Sequence, residues 1–174
     1  MNPFNDLRFK EMLKETRRES DRASALIHAA NLDNQLRRLL LEHFVKISSE
    51  MEKQVFEGTG YLSTFSSRIN ASYMVGLLAQ NEYHDFNIVR KIRNYFAHQE
   101  HGWSFKTDEV RKLCDSLMLI AEAKLDRPKF DFSDPRHAFE ITASSLFYLI
   151  LDRSRSAFSQ KRVLPFPTSI FPKN

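Results

Sequence analysis

From Ser20 to Ile47 the chain contains neither glycine nor proline. Within that run Ala23, Ile27, Ala30, Leu36, Leu39, Leu40 and Phe44 recur at helical spacing, which predicts one long helix over 20–47. The whole chain of 174 residues has only 4 glycines against 15 phenylalanines. Few glycines leave few tight turns, which favours helices over a β-sandwich.

The same signals divide the rest. Residues 4–18 form a short, highly charged amphipathic segment with Leu7, Phe9, Met12 and Leu13 apolar. A loop carrying Gly58 and Gly60 follows the long helix. Ser63 or Thr64 then caps a helix over 64–79 that contains Phe65, Ile69, Tyr73, Leu77 and Leu78. Asn81 is the expected cap of a helix over 82–98, and Thr107 with Asp108 begins another over 108–125, stopped by Pro128. Asp134-Pro135 opens a last helix to about 158. The tail VLPFPTSIFPKN has three prolines and cannot be helical, yet Val163, Leu164, Phe166, Ile170 and Phe171 are apolar enough to occupy a groove. The expectation is an all-α, single-domain bundle of about five to seven helices. Residues 1–19 would be an N-terminal arm or short helix, 20–158 the helical domain, and 159–174 an apolar, proline-containing tail.

Composition narrows the class. Hydrophobic residues make up 42% and aromatic residues 12%, enough for one globular core and too many for disorder. A net charge of +4, spread along the chain, permits an anionic partner without requiring one. A single cysteine, Cys114, rules out an intrachain disulfide, and its neighbours Leu113 and Leu117 mark it as a core thiol. There is no leader pattern, and no apolar run approaches the ~20 residues that span a bilayer. The expected setting is therefore soluble and cytoplasmic, with no membrane association.

The segment IRNYFAHQ, residues 92–99, concentrates the chemistry. On a helix at ~100° per residue, Ile88, Val89, Ile92, Tyr95 and Phe96 form the core stripe, and Arg90, Arg93, Asn94 and His98 occupy the polar arc. Arg93 and His98 stand ~140° apart at its edges with Asn94 between. They converge only if the helix ends or bends near Ala97, or if two copies pair. The bland alternative is a solvated face with Arg93 in an ordinary ion pair.

The block GTGYLSTFSSRINASYMVGLLAQNEYHDFNIVRKIRNYFAHQEHGWSFKTDEV, residues 58–110, resembles the signature region of the mannitol operon repressor family. The matching positions are Leu62, Ser63, Arg68, Ile69, Tyr73, Gly76, Leu77, Glu82, Tyr83, Asp85, Arg93, His98, Phe105, Asp108 and Glu109. RASALIHAANLDNQLRRLLLEHF upstream is similar to that family's first long helix, so the likeness covers about 22–125. The resemblance implies a transcriptional regulator without an evident helix-turn-helix, working through a protein partner or a diffuse basic surface. The Arg-Asn-x-x-x-His ending also resembles the HEPN superfamily of helical domains, in which such a motif lies at the dimer interface of RNA-cleaving members. That likeness implies a metal-independent ribonuclease with Arg93, Asn94 and His98 as catalytic residues. The chemistry is coherent: an imidazole takes the 2′-hydroxyl proton and a guanidinium fork steadies the phosphorane.

Other chemistries lack their residues. Histidines 28, 43, 84, 98, 101 and 137 are scattered, His98 and His101 are a lone loop pair that makes poor metal evidence, and Gly58-Thr59-Gly60 is not followed by Gly-Lys-Ser/Thr. No cofactor or metal is expected. A helix–turn–helix over 66–98 would carry Arg90, Lys91 and Arg93 on its second helix, but Gly76 falls inside the first predicted helix and not in a turn. The partners expected are a second copy of the chain, as a homodimer or higher oligomer, and a protein partner in transcription; direct nucleic-acid contact is left open.

Overall fold

A computed structural model describes residues 6–16, 18–98, 102–121, 132–159 and 161. They form seven helices: α1 Leu7–Thr16, α2 Asp21–His43, α3 Ser49–Phe56, α4 Phe65–Met74, α5 Gln80–His98, α6 Asp108–Asp115 and α7 Pro135–Ser159, with a further helical turn at 118–121. No described residue is in a strand, so the all-α expectation holds.

α2 and α7 are the two long central helices and share the most extensive contact; α1, α4 and α5 pack around α2, and α6 lies against α5 and α7. Because α2 has neighbours on several sides, its buried apolar residues are Ala25, Ala29, Leu32, Leu36, Leu39 and Leu40. The expected core members Ala23, Ile27 and Ala30 lie outside this set, and Ala30 is exposed. Phe139, Ala143, Leu146, Phe147 and Ile150 of α7 complete the centre of the core. Phe9 and Met12 dock α1 onto it, whereas Leu7 remains exposed.

Several predicted boundaries shift. α2 ends at His43, and Ser48 caps a separate helix, α3, where only a loop was expected. Arg37 joins the two, pairing with Glu52 at 2.6 Å while its guanidinium lies over the Phe56 ring. Gly60 follows, packed so tightly that an added Cβ would fall 2.3 Å from the Gln54 carbonyl oxygen. Thr64 caps α4 through a capping box with Ser67. α4 stops at Met74, not 79, and Gly76 takes a left-handed φ of 75° in the turn to α5. Thus Gly76 is a turn glycine after all.

α5 begins at Gln80, so Asn81 sits inside the helix; the Glu82 carboxylate instead accepts from the Ala79 N–H at 2.8 Å. The helix predicted over 108–125 breaks at Ser116 and restarts at 118–121, and Pro128 lies outside the described residues. The same holds for the apolar tail from 162 onward. Cys114 is buried as expected, and burial pushes its thiol up to about 12. No described helix is long and apolar enough to cross a membrane.

Candidate functional site

The polar residues in the region of family likeness separate into two groups. Arg68, Glu82 and Asp85 are buried and are consumed by structure. Arg68 donates to Asp33 Oδ1 at 2.7 Å and to the carbonyls of Leu62, Phe56 and Ser63, so it ties α2, the α3–α4 turn and α4 together. Glu82 receives both terminal nitrogens of Arg153, at 2.7 and 3.0 Å, and Arg153 also donates to the Leu77 carbonyl. Asp85, with no exposed side-chain surface, accepts from the N–H groups of Met118 and Leu119 at 2.8 and 2.9 Å. It thereby caps the turn at 118–121, which explains how the chain restarts after the break at Ser116.

The second group is presented outward. Ile88, Val89, Ile92 and Phe96 bury one side of α5. On the other side Arg93 and His98 are exposed and Asn94 is half-buried, as the helical arc predicts. Tyr95 departs from the expected core stripe: it is 36% exposed and stacks on Trp103 with ring centroids 4.9 Å apart. The aromatic pair extends the polar arc into a mixed surface that periodicity alone assigned to the core.

Arg93 and Asn94 touch, the guanidinium donating to Asn94 Oδ1 at 3.1 Å. Arg93 and His98 do not share a cleft within one chain. Arg93 lines a cleft of about 590 Å³ between α2, the turn before α4, and α5, together with Asp33, Ser63, Ser66 and Arg90. His98 lines a shallower depression with Lys91 and Tyr95; Asn94 borders both. Lys91, Arg93 and His98 form no ion pair among the described residues, so the ordinary ion pair that the bland alternative gave Arg93 is not formed there.

No group of three or more His, Cys, Asp or Glu side chains among the described residues is placed to hold a metal ion, and His101 lies outside them. A groove-reading role for α5 meets a physical obstacle despite the turn glycine. A recognition helix reads base edges with its N-terminal residues, whereas the exposed cations of α5, Lys91 and Arg93, stand in its C-terminal half.

A family model described as Mannitol repressor matches residues 9–146. The chain belongs to the mannitol repressor family. It is thus a mannitol-repressor-like regulator, as the resemblance in residues 58–110 implied. Among solved structures it is similar to that of the MtlR-HPr complex from Escherichia coli, with a TM-score of 0.68, 17% identity, and coverage of 83% of this chain and 99% of that one. It is also similar to a possible transcriptional regulator, YggD from Shigella flexneri 2a str. 2457T, with a TM-score of 0.60, 12% identity, and coverage of 83% and 95%. At these identities the two neighbours establish the shared fold of the mannitol repressor family member. No curated protein matches the chain by sequence.

Proposed function

We propose that this mannitol repressor family member regulates transcription by docking a protein partner on the C-terminal half of α5, where Lys91, Arg93, Tyr95 and His98 face outward. The observation that carries the reading is this outward surface itself. It combines cations without carboxylate partners among the described residues with a stacked Tyr95–Trp103 pair. Arginine and aromatic side chains are the types that dominate binding energy at protein interfaces, and unpaired cations steer an acidic partner toward them. One structural neighbour was solved with HPr, which supports a protein as the partner and makes HPr the first to test. A second copy of the chain could occupy the same surface, and light scattering distinguishes that case by mass.

The ribonuclease reading has less support. Within one chain the Arg93 guanidinium and the His98 imidazole open into different depressions, so a second copy would have to supply one of them. Its test is cleavage of single-stranded RNA in chelator, abolished by His98→Ala.

The docking reading is tested by calorimetric titration with HPr from the organism that makes the chain. Lys91→Ala and His98→Ala should each weaken binding about tenfold, as loss of a central interface contact does, while leaving thermal unfolding nearly unchanged. Binding that is indifferent to both changes would place the partner elsewhere.

A further inference from the structure

We propose that the cleft between α2, the turn before α4, and α5 is a ligand site for a small phosphate monoester, with Arg90 and Arg93 holding the phosphate. This goes beyond partner docking and does not rest on it: Arg93 borders both surfaces, and Arg90, which lies outside the docking surface, distinguishes the two. Arg90 and Arg93 both line the cleft. Three residues apart on α5, they are neighbours on the helix surface, where like charges repel and an anion bound in the cleft relieves the repulsion. Neither forms an ion pair among the described residues. The Arg90 Nε is enclosed and has no hydrogen-bond acceptor among the described residues. Two arginine side chains that line one cleft without a carboxylate of their own suit a phosphate, whose oxygens match the guanidinium fork.

The cleft has one carboxylate, Asp33, and its charge is already met by Arg68 at 2.7 Å. The local balance therefore stays cationic. Ser63 and Ser66 add hydroxyls, and Phe65 and Ser66 bring the first turn of α4, whose positive dipole end favours an anion. Leu26, Ala29 and Ala30 line the cleft with apolar surface. A volume of about 590 Å³ is far larger than a bare phosphate needs and lies within the ordinary range for small-molecule sites. The fitting ligand thus has a dianionic head for the two arginines and a compact hydroxylated body for the serines and the apolar wall.

The test titrates the 15N-labelled full chain with glucose 6-phosphate, inorganic phosphate and glucose, following backbone amides. Glucose 6-phosphate should move the amides of Ser63, Ser66, Arg90 and Asn94, inorganic phosphate should move the same amides at higher concentration, and glucose should leave them in place. Arg90→Met should raise the half-saturating concentration of glucose 6-phosphate about tenfold, with Arg90→Lys between it and the native chain. The proposal is overturned if no amide moves at about 10 mM phosphate ester, if the shifts centre on another surface, or if glucose acts as well as its phosphate. The native-chain map decides the matter even if Arg90→Met fails to fold.

Discussion

At the scale of single residues, the polar positions that carry the family likeness do two kinds of work. Arg68 is the clearest structural one. Its side chain is 8% exposed and satisfies three carbonyls as well as Asp33. Replacing it with methionine strands those acceptors and leaves Asp33 without its counter-charge, so Arg68→Met should cost about 3 kcal/mol in urea unfolding. A loss within the ~0.5 kcal/mol typical of surface changes would show that Arg68 is not the clamp described. His28 couples the stability of the fold to pH. It lies edge-on to Phe139, and burial lowers its imidazole to about 4, helped by Arg136 and opposed by Glu140 and Glu15. The unfolded chain therefore takes up this proton first as pH falls. The stabilising contribution is complete above about 6.5 and is lost progressively from there down to about 4. Between pH 7 and pH 5 the native chain should lose about 2 kcal/mol more than His28→Gln. Equal losses in the two proteins would contradict a neutral, buried His28.

At the scale of elements, the long helices were legible because their apolar repeats run uninterrupted. The breaks between them were not, because each is set by contacts between residues distant in sequence. Asp85 illustrates the point. Nothing in residues 108–125 signals a break, but a carboxylate 33 residues earlier caps a fresh helical start at Met118. Asp85→Ala should cost about 2 kcal/mol and speed amide exchange at Met118 and Leu119, whereas Asp85→Asn, which keeps one acceptor oxygen, should cost less. Unchanged exchange at those two amides would refute the capping role. α3 escaped detection because it is eight residues long and only Phe56 is buried. Gly76 was misplaced because the apolar spacing continues through Leu77 and Leu78, which are buried from the turn and not from the helix. In the candidate site, the outward placement of Arg93, Asn94 and His98 followed from helical angle alone. The part played by Tyr95 did not, since its ring stacks on Trp103 from the following loop and not in the core. Arg90 was placed on the polar arc, but its cleft was invisible, because the opposite wall comes from α2 and the turn before α4.

At the scale of the whole molecule, the bundle keeps one face of α5 in the core and turns the other outward, with the exposed cations Lys91 and Arg93 in the C-terminal half of the helix. That arrangement suits a regulator that meets a protein on its surface better than one that inserts a helix into a DNA groove. A competing surface exists: Tyr61 and Met74 are 92% and 83% exposed. Exposed apolar groups of that size are themselves candidates for partner contact. The most direct test of the account is therefore the footprint of HPr on the 15N-labelled native chain. Binding at the proposed surface should shift the amides of Lys91 to His98 and the Trp103 indole N–H, leaving those near Tyr61 and Met74 unmoved. Shifts confined to Tyr61 and Met74, or no binding by HPr alongside a tight, salt-tolerant complex with promoter DNA, would contradict it.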